Sequence, residues 1–459
     1  MNASDLLRFL NYSMLVRQSL IYPIAFLVAM LGFQAQAQPK VTEGKPLIAA
    51  PTDTLQLTLT QAEEQFTRQN LNLMIAQLGI SESQKQEIQA KLRPNPTVYA
   101  EIMPYNNGTA TAGRERAILP FRQSNSEQIV QLQQLLLLAG KRNKQLAIAQ
   151  TSTEIARDRF QDVIRTLRYD LRSTFYSLYF NQQSISIYDE EIQTLQQTVT
   201  LYQQQYEKGN VPLKDLTRLK AYLFNLTTEK QSLILQLAND QAELAVLLNM
   251  NPATVIRPEV TTQELEAYNP ASLTLNDLYN RAEENRYDLK AYTDQSKLEQ
   301  QNLILQKALA KPDLTVQATF DRNGAFGSNY VGVGVGLPVP IFNKNQGNIE
   351  AAKIRTQASQ QGIAAYRLQV QSEVQKAYVK VLQTNQLYQQ FDTRFNEDFS
   401  RLIDGVTTNY RKQNIDVVEF LDFFDSYKNS QIQYRQLQNN RMQSLEELGY
   451  AVGTNLFSR

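Results

Sequence analysis

The chain has 459 residues, with 46 Lys and Arg against 45 Asp and Glu, so no charge imbalance argues for a nucleic-acid partner. It contains no His and no Cys, which excludes imidazole acid–base chemistry, thiol nucleophiles, disulfides and His- or Cys-ligated metal. Hydrophobic residues make up 42% and charged residues 20%, a balance that suits long, half-solvated helices better than a dense enzyme core.

At the N-terminus, Arg8 and Arg17 precede the apolar run Leu20 to Phe33, and Ala35-Gln36-Ala37 follows. A basic start, a short apolar stretch and a small-x-small site read as a secretory signal peptide over residues 1–37. The alternative is an uncleaved N-terminal anchor. Residues 38–56, with Pro39, Pro46 and Pro51, read as an extended leader.

A first structural repeat is expected over 57–250. It opens with a helix from Leu57 to about Leu92, capped by Thr58 or Thr60 and stopped at Pro94 and Pro96. A strand over Thr97–Tyr105 leads to Asn107-Gly108, a strong hairpin signal. The returning strand is blurred, somewhere in Gln128–Leu138. Lys141–Glu207 then reads as one helix of about 100 Å. A turn at Tyr206–Val211 and a return helix, about Lys214–Leu248, complete the repeat. The seam of this hairpin is heptad-like: Ile185, Tyr188, Ile192, Leu195, Val199, Tyr202 and Tyr206 lead in. Leu216, Leu219, Leu223, Leu226, Lys230, Leu233, Leu237 and Leu244 lead out, so the two helices should pack along their whole length.

Pro252, Pro258 and Pro270 mark 251–272 as a linker. A second repeat is expected over 273–453, followed by a tail, 454–459. Its opening helix should be capped by Asn276 and stop at Lys311-Pro312. A strand over Leu314–Asp321 reaches Asn323-Gly324, and Tyr330–Leu337 returns with valines alternating with Gly332, Gly334 and Gly336. That alternation lies inside a strand, which argues against a phosphate-cradling glycine loop. A long helix, Gln346–Arg411, and a return helix, about Val417–Tyr450, follow. Adding 204 to the first hairpin carries Tyr206 to Tyr410, Asn210 to Asn414, and Leu216, Leu219 and Leu223 to Phe420, Phe423 and Tyr427. A duplicated unit is thus written into the chain. Four short strands with an apolar side cannot close in lipid within one protomer, so several chains must pool them.

This duplicated plan of helix, strand hairpin, very long helix and shorter helix resembles the TolC-like outer-membrane efflux channel family. The resemblance implies a mainly α fold with membrane β. Long-helix hairpins would form a periplasmic α-barrel, and four strands per chain would join a trimeric twelve-stranded transmembrane β-barrel. It implies no enzyme, no cofactor and no resident metal. The implied partners are two further copies in a homotrimer, outer-membrane lipid, a periplasmic adaptor and an inner-membrane pump of the resistance-nodulation-division type.

By the same resemblance, Tyr410, Glu419, Asp422 and Asp215 match the family's periplasmic gate. Physically, carboxylates repeated around a narrow mouth attract cations. The bland reading of Glu419 and Asp422 is a solvated helix face near a helix N-terminus, where acids are favourable. Ile415 and Gln413 depart from the family's usual Arg and Gly. Lys208, Gly209, Asn210, Val211 and Asn414 form the turns that would meet the adaptor. Val331, Val333, Val335 and Leu337 would face lipid, with Gly332, Gly334 and Gly336 facing the lumen. The stretch Leu337–Ile349 resembles the heavy-metal branch, the partners of cobalt–zinc–cadmium or copper pumps. Drug efflux and type I protein secretion are the alternative tasks for such a duct. A secreted structural coiled coil is the rival of another class, though it leaves the paired strand hairpins unexplained.

Overall fold

The computed structural model describes residues 54–103, 127–266, 273–324, 327–390, 393–412 and 414–456. The expected signal peptide, nearly all of the leader, the Asn107-Gly108 turn, Gln413 and the end of the tail lie outside the described residues.

The first repeat begins with β1 (Thr54–Thr58), α1 (Leu59–Gln69) and α2 (Leu71–Lys91). Thr58 caps α1 in a reciprocal box with Gln61. The expected continuous helix is broken at Asn70, whose backbone is extended. The Asn70 side chain accepts from the Leu73 N–H at 3.0 Å and donates to the Leu247 carbonyl at 2.8 Å. Asn favours such capping over helix interiors, and here a distant carbonyl rewards the break. Next come β2 (Thr97–Met103), β3 (Glu127–Leu136), α3 (Lys141–Glu207) and α4 (Leu213–Leu247).

The segment expected as a plain linker contains β4 (Val255–Glu259) and α5 (Thr262–Glu266). β4 pairs in parallel with β1, tying the start of the first repeat to the junction between repeats. Pro258 had suggested irregular chain. A two-stranded pair is all edge, where Pro is tolerated.

The second repeat is α6 (Leu275–Asn285), α7 (Tyr287–Leu309), β5 (Leu314–Gly324), β6 (Gly327–Gly336), α8 (Gln346–Gln390), α9 (Thr393–Arg411) and α10 (Val417–Val452). Thr274, not Asn276, caps α6 by accepting from the Asp277 N–H. A second break falls at Arg286, the counterpart of Asn70.

The two hairpins are joined. β3 pairs with β5, so β2-β3-β5-β6 is one antiparallel sheet with β2 and β6 at its edges. The helices that continue these strands pack in the same lateral order, α2 on α3, α3 on α7, α7 on α8. Beyond them α3 packs against both α4 and α10. Two cores result. The larger, around Phe66, Phe175, Tyr176, Phe180, Leu244, Val374 and Leu448, sits where α1, α6 and the β1–β4 pair wrap the long helices. The smaller fills the helix tips, around Tyr188, Leu195, Tyr202, Leu216, Leu219, Tyr410, Phe420 and Phe424.

Candidate functional site

The sheet has two chemically distinct faces. Side chains of directly paired residues share a face, so register assigns them. One face carries Val98, Val130, Leu132, Phe320, Val331, Val333 and Val335, all exposed in the protomer. Val333 is 79% exposed, and Leu337, just past the strand, is 51% exposed. The opposite face carries Glu101, Gln131, Gln133, Gln317, Thr319 and the glycines of β6. Gln131 donates to Thr319 across strands at 3.2 Å, and Gln133 donates to Gln131 along the same strand at 2.8 Å. A Cβ at Gly334 would sit 2.7 Å from the Gln317 amide, so glycine lets that side chain lie over β6.

The helix tips repeat one device. The Asn210 N–H donates to the Gln205 carbonyl and the Asn414 N–H to the Asn409 carbonyl, both at 2.9 Å. These are the long closing bonds of a Schellman-type end, and Gly209 takes the left-handed conformation it needs at φ 77°. Lys208, Gly209, Asn210 and Asn414 are exposed and Val211 is half-buried. The return helices start differently. Pro212 precedes α4 without a side-chain cap, whereas Asp416 caps α10, accepting from the N–H groups of Val418 and Glu419. Those N–H bonds hold the Asp416 carboxyl below its usual range.

Of the four residues matched to a gate, Glu419 and Asp422 are exposed and Asp215 is half-exposed. Tyr410 is not on an open face. It is 1% exposed, stacked between Tyr202 and Phe420 with centroids 4.9 and 4.2 Å away. Burial pushes its phenol up, and its hydroxyl meets no hydrogen-bond partner among the described residues. Within the protomer, ring packing is what holds Tyr410 in place. The echo also shifts by one residue: Phe424 is buried and Phe423 only partly so. Steps of three and four both suit a helix, and tip packing chooses between them. Tyr206, by contrast, is 37% exposed.

Two polar clusters escaped the sequence pattern. Arg286, 2% exposed, bonds Asp288, Glu373 at 2.6 Å and the Ala451 carbonyl at 3.2 Å. Asp288 also meets Arg165 at 3.0 Å and the Tyr366 hydroxyl at 2.8 Å. Despite burial, these donors hold the Asp288 carboxyl below its usual value. Toward the tips, buried Lys428 meets Glu229 at 2.8 Å and Asp425 at 3.2 Å. Buried Glu191 lies nearby, its carboxyl pushed up to about 8 by burial and Glu190, against the pull of Lys428. Charged residues inside a heptad stretch carry no periodic signal, which is why they were missed. The signal available was the pairing of Asn70 with Arg286, each bonding the end of its own return helix.

Among the described residues, no helix is long and apolar enough to cross a membrane, and no cluster of three or more carboxylates forms a metal cage.

The model of the family described as outer membrane efflux protein matches residues 278–454. Over those residues the chain is similar to that family. The resemblance to TolC-like channels therefore stands, and the family is one of ducts, not of enzymes. The chain is 21% identical over 313 residues to the cobalt-zinc-cadmium resistance protein CzcC of Cupriavidus metallidurans, covering 68% of this chain and 70% of that one. Its fold is similar to that of CusC, with a TM-score of 0.69, 16% identity and coverage of 86% and 92%. It is also similar to VceC of Vibrio cholerae, with a TM-score of 0.63, 17% identity and coverage of 86% and 96%. A membrane protein of Pseudomonas aeruginosa matches with a TM-score of 0.71, 14% identity and coverage of 86% and 92%. These likenesses establish the fold, a helical barrel segment joined to a β segment.

Proposed function

We propose that the chain is the exit duct of a tripartite efflux pump, with heavy-metal cations as its cargo. The observation that carries the duct reading is the sheet itself. It has one apolar and one polar face and two edges, β2 and β6, each with a single neighbour among the described residues. A sheet of that kind is stable in lipid only when its edges are closed. Three copies pairing β2 of one with β6 of the next give twelve strands, with Val331, Val333, Val335 and Leu337 toward lipid. The strand-to-helix continuity then makes α3, α4, α8, α9 and α10 the wall of a tunnel. The turns at Lys208–Val211 and Asn414 face an adaptor, which links the duct to an inner-membrane pump of the resistance-nodulation-division type. Glu419, Asp422 and Asp215 supply negative charge at that mouth, favouring cations over anions.

The metal reading rests on the likeness to CzcC, a cobalt-zinc-cadmium resistance protein. The test is removal of the chain from its own cells, followed by measurement of cobalt, zinc and cadmium retained after loading. Retention that rises and returns to normal on re-expression supports the reading. Unchanged metal retention, with raised retention of a dye or drug, replaces metal by drug as cargo.

A further inference from the structure

The layer of long helices ends in two edges, as the sheet does, and the two edges are built differently. One is a single helix. α8 runs unbroken from Gln346 to Gln390 and packs one face against α7 and α10. The opposite face carries Ile354, Gln361, Ala365, Leu368, Ser372 and Val379, in steps of three, four and seven, all exposed and none charged. That spacing is a heptad seam turned away from its own protomer.

The other edge is two helices laid end to end. α2 lies beside the first part of α3, where Ala76, Gly79 and Ser83 share a hollow with Ser152, Ala156 and Phe160. α4 lies beside the second part, where Asn181 reaches Asp240 and Tyr188 reaches Glu229. They meet at Asn70, whose amide donates to the Leu247 carbonyl at 2.8 Å, while the Gln65 amide donates to the Leu248 carbonyl at 2.9 Å. On the faces opposite α3, exposed apolar side chains run through this joint: Leu71, Ile75 and Leu78 on α2, and Val246, Leu235 and Phe224 on α4. Val246 and Leu71, which flank the joint, are 68% and 55% exposed. Apolar surface of that extent marks a contact site. The equivalent joint of the second repeat, at Arg286, is flanked by α3 through Arg165 and by α8 through Tyr366 and Glu373. The Asn70 joint has α3 on one side and bare apolar surface on the other.

Heights along the helices decide what that surface meets. Arg367 pairs with Glu283 and the Tyr366 hydroxyl donates to Asp288, on either side of the Arg286 break, so Leu368 stands level with it. On α3, Arg165 marks the height of Asp288. Ser177 donates to Asp240, so Leu247, seven residues further along antiparallel α4, stands near Asp170. The two joints therefore lie within about two helical turns of each other. We propose that Leu368 of one copy seats against Val246 and Leu71 of the next, so that unbroken α8 splints the joint between α4 and α2. The inference rests on the exit-duct reading, which pairs β2 of one copy with β6 of the next and so sets α2 beside the neighbour's α8. Rotation about an axis along the helices leaves each residue at its own height, so the neighbour's Leu368 arrives level with the Asn70 joint. One face of α8 thus bridges the second-repeat joint of its own protomer, and the opposite face bridges the first-repeat joint of the next.

The chain has no Cys, so only introduced cysteines react with a maleimide. The full chain carrying Leu71→Cys with Leu368→Cys is purified in mild detergent, treated with a short bismaleimide and run on a denaturing gel. Most of the monomer band should move to linked dimer and trimer. Leu71→Cys with Ile354→Cys, on the same face of α8 but about 21 Å away, should leave the monomer band in place. Leu368→Cys alone should react with a polar maleimide far more slowly in the assembly than after unfolding. A trimer on native gels whose Leu71–Leu368 pair fails to link, or links no better than the Leu71–Ile354 pair, overturns the splint and leaves the duct standing. Equally fast labelling of Leu368→Cys in the trimer and in the unfolded chain assigns this face to some other partner and also overturns the splint. A parent chain that forms no trimer overturns the exit-duct reading and this inference together.

Discussion

Replacing Arg286 by Met removes a side chain that ties the α6–α7 break to the end of α10. The guanidinium is 2% exposed and makes bonds to Asp288, Glu373 and the Ala451 carbonyl. Losing one member of a buried ion pair costs about 3–5 kcal/mol, chiefly because the partner charge stays buried. Asp288 keeps Arg165 and Tyr366, which places the expected loss at the lower end of that range. The first repeat supplies an internal control. Asn70→Ala removes a cap and one bond to the Leu247 carbonyl without stranding a charge, for about 1–2 kcal/mol. Adding Asp288→Asn to Arg286→Met should recover about 1–3 kcal/mol relative to the sum of the single changes. The pH dependence follows from the lowered Asp288 value. Its stabilisation is present above the ordinary Asp range near 3.8 and is lost as pH falls through the still lower folded value. The assay is thermal and denaturant unfolding of the assembled protein in detergent, followed by helical circular dichroism from pH 3 to 7. If Arg286→Met costs no more than Asn70→Ala, or the double change is simply additive, the cluster is not a coupled clamp.

Val333→Arg, on the apolar face, should destabilise the membrane-inserted protein by about 2–4 kcal/mol, whereas Gln317→Arg, on the polar face, should be tolerated; equal sensitivity in refolding titrations would refute the assignment of faces. The Glu419→Ala, Asp422→Ala double variant should lower cation selectivity and weaken block by multivalent cations in planar bilayers, and unchanged conductance properties would return both acids to an ordinary solvated helix face. Tyr410→Phe should leave stability unchanged or slightly raised, because the buried hydroxyl it removes has no partner among the described residues; a loss above about 1 kcal/mol would reveal a bond made in the assembly. For Glu191, a carboxyl raised to about 8 is most stabilising below the ordinary Glu value and loses that contribution as pH rises through 8, so Glu191→Gln should match the parent at pH 4 and exceed it above pH 8 by up to about 5 kcal/mol. Parallel pH profiles of unfolding temperature for the two proteins would rule that out.

Much of this protein is local and therefore written in the chain. Period and breaker residues mark α3 from Lys141 to Glu207, the turns at Gly209 and Asn414, and the alternation of β6, because each rests on neighbours within a few residues. The repeat is equally legible, since Tyr206 and Tyr410, or Asn210 and Asn414, stand in equivalent places in the sequence. Equivalent places need not have equivalent surroundings. Tyr410 is buried by Tyr202 and Phe420 while Tyr206 stays exposed, and Phe424 rather than Phe423 enters the core. The breaks at Asn70 and Arg286 exist because carbonyls at Leu247 and Ala451, far along the chain, reward leaving the helix. The pairing of β3 with β5, which fuses two hairpins into one sheet, and that of β1 with β4 join strands far apart in sequence. No local pattern encodes which distant groups will meet; only packing the two repeats side by side brings those partners within reach.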